Sequence, residues 1–283
     1  MLEYIIVAIL QGLIEWLPIS SSGQVMIFAI NVLNISPQEA FSLAIWLHLG
    51  TSCAVLLKYR EDFVKMMKSS FPKYKENENN TINMKKRNWV IIATIGTAIT
   101  ALPLYFVFKH FLENAFTALQ GDLVTLLISA FLLITGVILL ISKNLQTFNT
   151  TTLKEKTGVT KDSLIAGLAQ GFSVLPGISR SGLSVSAILY CKYEQQDALK
   201  LSFLISVPAS FGSILVDLLF NQDSIALTLD ISIIFLITII SFAVGYCSME
   251  LLLKLAQKVN FGYFCLVYGG IAILIIIPAY IFA

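Results

Sequence analysis

The sequence predicts an all-α integral membrane protein built as an inverted-topology repeat, with six transmembrane helices plus two re-entrant helix–turn–helix hairpins. Three observations predict it. Of 283 residues, 57% are hydrophobic and only 13% charged, with a mean hydropathy of +0.81, whereas a soluble domain carries about 25% charged residues. The apolar residues fall in runs about as long as the roughly 20 residues that cross a bilayer as a helix, not in the short alternating segments of a barrel. Finally, two polar breaks, "PISSSG" at 18–23 and "PGISRSG" at 176–182, interrupt that pattern at related positions.

The elements follow in order. Residues 2–33 read as an apolar stretch, a break, and a short apolar run from Gln24. Crossings are expected at about 40–57, 89–108 and 122–142. Residues 162–190 repeat the first pattern as "DSLIAGLAQGFSVL", a break, then "LSVSAILY", and further crossings are expected at about 201–219, 230–250 and 262–282. The second run of each broken segment is too short to span. Proline, glycine and hydroxyl residues end one helix and start the next. Non-helical backbone at membrane depth is tolerated only where protein or a water-filled cavity covers it. Each broken segment is therefore expected to dip into the membrane and return. The polar stretch 58–88 is expected to be a solvated connection. The N-terminus carries Glu3 and no basic n-region, so its apolar segment is expected to stay in place rather than to act as a signal peptide. The four cysteines lie in or beside apolar runs without CxxC spacing and are expected to be buried free thiols.

The two breaks are copies of one another. "QGLIEWLPISSSG" and "QGFSVLPGISRSG" share Gln-Gly, Leu-Pro and Ile-Ser-x-Ser-Gly, with a one-residue slip. The offset, Gln11 against Gln170, is about 160 residues. A single membrane domain thus divides into a first repeat, 1–142, and a second, 162–283, each a hairpin plus three crossings. Three is odd, so the second copy enters the membrane upside down, and folds of this type place their polar site at the repeat interface. Among the 19 Lys and Arg, Arg180 sits in a break and only Lys109 falls away from one crowded side. The positive-inside rule makes the crowded side cytoplasmic and both termini external. The net charge of +2 builds no strong basic field, and no nucleic-acid partner is expected.

The breaks bring together the residues that carry chemistry. The first supplies Gln11, Glu15, Ser20, Ser21, Ser22, Gly23 and Gln24; the second supplies Gln170, Ser173, Ser179, Arg180, Ser181 and Gly182. Gln11 and Glu15 are four apart and share a helix face, and both offer oxygen to a hard divalent cation, Mg²⁺ or Ca²⁺. Each Ser-Gly turn opens a helix whose backbone N–H groups favour an anion. Arg180 adds a planar fork matched to phosphate oxygens. Such a set suits a phosphate or diphosphate, and an anionic head inside the bilayer belongs to a lipid. Plainer roles stay open: Glu15 and Arg180 as a structural ion pair, the serines as helix caps, Gln11 and Gln170 as interhelical glue. His48 is expected to be a hydrogen-bonded packing residue, and Asp217 and Glu250 to lie at the membrane interface near helix ends.

The two motifs, in this order and in this hydropathy frame, resemble those of the undecaprenyl-diphosphate phosphatase family of the bacitracin-resistance type, and the resemblance runs the whole length. It implies removal of the terminal phosphate from a polyprenyl diphosphate lipid, which recycles the carrier for envelope glycan synthesis. It also implies Mg²⁺ or Ca²⁺, a homodimer, and an active site open to the outer side of the cytoplasmic membrane. Carried over by residue, Glu15 is the essential acid and Gln11 the variable first member of its pair. Ser21 is nucleophile or phosphate ligand beside Ser20, and Arg180, flanked by Ser179, binds the diphosphate. Many members carry histidine directly after the first Ser-Gly turn, where this chain has Gln24, a side chain that cannot shuttle protons near neutral pH. A polyprenyl-phosphate flippase is the alternative of a different class, because broken helices meeting at mid-membrane also serve transport.

Overall fold

A computed structural model describes residues 1–71, 78–114, 120–143 and 150–282, and every element named in it is helical. Helix α1 (Leu2–Ile14) leads through a turn to α2 (Ser21–Asn31), followed by α3 (Pro37–Lys58), α4 (Arg60–Lys68), α5 (Glu78–Asn114) and α6 (Gln120–Lys143). The second half repeats the pattern with α7 (Val159–Gly171), α8 (Arg180–Tyr190), α9 (Gln195–Phe220), the single turn α10 (Ile225–Thr228), α11 (Ile231–Lys258) and α12 (Phe261–Phe282). Among the described residues five helices are long and apolar enough to cross a membrane: α3, α5 over 81–113, α6 over 121–142, α9, and α11 over 231–255. The sixth expected crossing, 262–282, forms α12, whose apolar character is described as far as Ile277. This is the architecture of a helical integral membrane protein.

Local chemistry sets the helix boundaries. Ser36 caps α3 by accepting the Glu39 N–H (3.3 Å), and Pro37 takes the first helical position, where a missing N–H costs nothing. The expected connection at 58–88 is more ordered than its polarity suggests. It folds into α4 and the first turns of α5, and its residues 72–77 lie outside the described residues. Asp62 of α4 takes Lys86 of α5 (2.6 Å) and Lys200 of α9 (2.9 Å) together. Burial would raise the Asp62 pKa, but the two ammonium groups more than offset it and hold the carboxyl below its ordinary value. Glu250 of α11 is exposed and pairs with Lys58 at the end of α3.

Helices pair through small residues. α1 packs on α11 and α7 on α5; α3 meets α9, and α6 meets α12. In the α5–α7 pair, the Thr97 hydroxyl donates to the Gly167 carbonyl (3.1 Å) and the Thr100 hydroxyl to the Leu168 carbonyl (3.0 Å). These contacts require a glycine: a Cβ on Gly167 would sit 2.1 Å from the Ala93 carbonyl oxygen. In the α1–α11 pair, Ser248 donates to the Gly12 carbonyl (3.0 Å) and the Trp16 indole to the Gly245 carbonyl (2.9 Å). Close backbone approach with hydroxyl donors is how helices associate where no water drives them together. α3 lies at the centre, with 61% of its spanning window buried against 17% for α11.

Gly167→Ala is expected to force α5 and α7 apart and cost about 1–3 kcal/mol, the usual range for overpacking. Gly212→Ala, where an added Cβ meets nothing within 4 Å, should melt as the wild type does. Thermal melting of both variants in detergent checks the pair.

Candidate active site

The two breaks touch. Ser20 ends the first turn in left-handed backbone (φ 60°) and accepts the Gly23 N–H (3.4 Å) as N-cap of α2. Its hydroxyl oxygen also accepts the Gly177 N–H from the second turn (3.0 Å). Ser179 caps α8 in the same manner, accepting the Gly182 N–H (3.1 Å). Gly177 takes φ 101°, and a Cβ on Gly23 would lie 2.7 Å from its nitrogen. Only glycine lets the two turns come this close. Thr135 of α6 holds the second turn, donating to the Gly177 carbonyl (2.9 Å) and accepting the Ser179 N–H (3.1 Å).

Across this contact Glu15 and Arg180 form an ion pair. Glu15 closes α1 and is only 6% exposed. Its Oε2 accepts from Gln11 Nε2 (2.7 Å) and from the Ser21 hydroxyl (2.5 Å), while Oε1 accepts from Arg180. The other Arg180 nitrogen, Nη1, donates to the Ser210 hydroxyl of α9 (2.7 Å) and at longer range to the Ser206 carbonyl (3.5 Å). The carboxylate and the guanidinium are both hydrogen-bonded beyond their mutual contact, the condition under which a buried charge pair is tolerable.

A cavity of about 100 Å³ opens beside the pair. Of the residues expected to bind or react, Glu15, Ser20, Ser21, Ser22, Gln170, Ser179, Arg180 and Ser181 line it. Gln11 lies beneath, fully buried against Glu15. Gly23 and Gly182 carry cap N–H groups behind the wall. Gln24 does not reach the cavity; its amide donates to the Ile19 carbonyl (3.4 Å) and braces the first turn. Gln170 acts as interhelical glue, donating to the Ile205 carbonyl (3.3 Å).

His48, expected as a hydrogen-bonded packing residue, is hydrogen-bonded within its own helix and also reaches the site. It lines the cavity from α3, with Nε2 3.4 Å from Glu15 Oε2 and Nδ1 2.6 Å from the Ala44 carbonyl of its own helix. Ser210 and Ser213 of α9, also in the lining, were hidden in a serine-rich crossing. Asp217, expected at the interface, is fully buried.

The donors fit a hard divalent cation in a limited way. Among the described residues no three His, Cys, Asp or Glu side chains cluster. Gln11 Oε1, however, is buried without a hydrogen-bond partner beside the Glu15 carboxylate. One carboxylate and one free amide oxygen suit a cation that takes its remaining oxygens from phosphates and water.

Residues 4–274 match the family described as bacitracin resistance protein BacA. The chain is 38% identical over 272 residues to the undecaprenyl-diphosphatase of Methanothrix thermoacetophila, covering 96% of this chain and 95% of that one. It is 34% identical over 281 residues to the protein of that name from Methanopyrus kandleri (97% and 96% covered). With the one from Haloarcula marismortui it shares 33% over 276 residues (95% and 94%).

Arg180→Met alone is expected to strand the Glu15 carboxylate and cost about 3–5 kcal/mol, the range for breaking a buried pair from one side. Adding Glu15→Gln should recover most of that loss. Melting temperatures of the single and double variants in detergent decide it.

Proposed function

This chain belongs to the BacA family of bacitracin resistance proteins, and from that premise we propose that it hydrolyses an undecaprenyl-type diphosphate to the lipid monophosphate and inorganic phosphate. The observation that carries the reading is the meeting of Arg180, Glu15 and two serine turns in one cavity. The relatives reported above are named as diphosphatases, which favours hydrolysis over lipid transport.

The mechanism starts from the ion pair. A diphosphate entering the cavity competes for the Arg180 fork, a better match to two phosphate oxygens than to one carboxylate. The hydroxyls of Ser20, Ser22, Ser179 and Ser181 and the N-termini of α2 and α8 share the remaining charge. Release of Arg180 leaves the Glu15 carboxylate with the Ser21 hydroxyl already bonded to it, the contact expected of a nucleophile and its base. Ser21 Oγ attacks the terminal phosphorus as its proton passes to Glu15. The bond to the bridging oxygen breaks, and the lipid monophosphate leaves. Water then frees inorganic phosphate from Ser21. His48 Nε2, facing Glu15, is placed to take the proton onward. Gln11 and Glu15 would hold Mg²⁺ or Ca²⁺, which supplies charge neutralisation on the diphosphate when bound.

The same reading includes the membrane arrangement. Helix pairings support an inverted repeat over 1–142 and 162–283: α1 on α11 answers α7 on α5, while α3–α9 and α6–α12 pair equivalent helices of the two halves. The breaks would then be re-entrant hairpins, entering from opposite faces and meeting at Gly23 and Gly177. Lys58, Lys86, Lys156 and Lys200 and their carboxylate partners gather at one end. This supports a cytoplasmic face there, external termini, and a cavity open to the outer side of the cytoplasmic membrane. Assembly as a homodimer belongs to this reading as well.

Purified protein given a polyprenyl diphosphate should release phosphate, and chelator should suppress the release. Glu15→Gln, Ser21→Ala and Arg180→Ala should each lower kcat by at least about a hundredfold, and His48→Gln by about tenfold. A Ser21→Ala enzyme with wild-type turnover would transfer the attack to water.

A further inference from the structure

The buried carboxylate of Asp217 belongs to none of the machinery above. It lies near the Phe220 end of α9 and is fully enclosed. Oδ2 accepts from the Ser42 hydroxyl (2.8 Å), the Trp46 indole (2.9 Å) and the Ser224 hydroxyl (2.7 Å). Oδ1 accepts from Asn221 Nδ2 (2.9 Å) and the Tyr105 hydroxyl (3.3 Å). Ser42 in turn accepts the Ile225 N–H (3.0 Å), which ties in the start of α10.

These donors come from the elements that wall the active cavity. Ser42 and Trp46 are on α3, next to the cavity residues Phe41 and Ile45; Tyr105 lies one turn beyond Ala101 on α5; Asp217 lies one turn beyond Ser213 on α9. α3 also carries His48, and α9 carries Ser210, the partner of Arg180. The spacing of these helices therefore sets how far Arg180 and its anchor stand from Glu15 and His48. A carboxylate is suited to this because it accepts several hydrogen bonds at once, and bonds to a charged acceptor are about twice as strong as neutral ones.

We propose that Asp217 is a positioning residue, a clasp that joins α3, α5 and α9 one turn beyond the cavity and fixes its width for the diphosphate head group. The proposal rests on the hydrolase reading for its substrate, but its geometry is independent of the chemical step. Losing the clasp widens the cleft and weakens the simultaneous grip of both walls on the head group, while the reacting groups at the two turns keep their local bonds. The defect falls on binding more than on turnover.

The test uses full-length protein in detergent, with Asp217→Asn as the near-isosteric variant. Its amide turns a donor toward groups that are all donors. KM for a polyprenyl diphosphate should rise about tenfold while kcat changes less than about threefold. Affinity for a non-hydrolysable prenyl methylenebisphosphonate should fall by about the same factor as KM rises. Nitroxide labels at Val107→Cys and Leu219→Cys, both exposed positions on α5 and α9, with exposed Cys247 replaced by serine, should give a narrow distance distribution that broadens in Asp217→Asn. Should that variant fail to fold, Ser42→Ala and Trp46→Phe remove one donor each from α3 and should produce the same split at smaller size. Wild-type KM, affinity and label distances in these variants, or a loss of kcat at unchanged KM, overturn the clasp. A wild-type protein that binds the analogue but releases no phosphate would defeat the hydrolase reading. The analogue and label measurements would still decide the clasp.

Discussion

An arginine from one helix break and a glutamate from the other meet inside a largely apolar protein, and the rest of the site is arranged around that contact. Taking two charges out of water costs several kcal/mol per ion, and their attraction offsets this only with good geometry and further hydrogen bonds. Both requirements are met. Gln11, Ser21 and His48 surround the carboxylate, and Ser210 and the Ser206 carbonyl hold the guanidinium. Each charge keeps neutral hydrogen-bond partners of its own, so the pair is tolerated at low exposure.

The pair exists only because the backbone is broken twice. Each break leaves buried N–H groups that must find partners. Ser20 and Ser179 cap the new helices, and Ser20 also accepts the Gly177 N–H, so one hydroxyl oxygen serves both turns. Glycine is required at Gly177, where φ is 101°, and at Gly23, where the other turn's backbone leaves no room for a Cβ. Thr135 holds the second turn through a carbonyl and an N–H at once. Capping a helix and cradling a phosphate use the same orientation of N–H groups, so the turns that stabilise the fold also suit an anion.

Much of this could be read from the residues alone. The duplicated Ser-x-Ser-Gly breaks pointed to Glu15, Ser20, Ser21, Ser179 and Arg180 because helix breakers and charges are costly in apolar segments, and the structure gathers those side chains around one cavity. Less legible were the contributions of continuous helices. His48, Ser210 and Asp217 sit in unbroken apolar runs, where nothing local records which face of a helix turns toward a break. Asp217 looked interfacial because it lies near a helix end; that end is instead roofed by Asn221, Ser224 and the turn that leads to α10. The charges of the stretch 58–88 suit water and so predict a loop. The same charges suit a short helix pinned through Asp62 to Lys86 and Lys200.

Gln24 and His48 hold different parts of the site. Gln24 points back at the Ile19 carbonyl and stiffens the first turn from within. His48 approaches Glu15 from α3 instead. Its ring is set by the Ala44 carbonyl one turn earlier, so its orientation depends on a rigid helix rather than on the turn. Nε2 then lies 3.4 Å from Glu15 Oε2, an oxygen that already accepts from Gln11 and Ser21. The imidazole is thus held beside Glu15 by a continuous helix, while the first turn is left to cap α2 through Ser20.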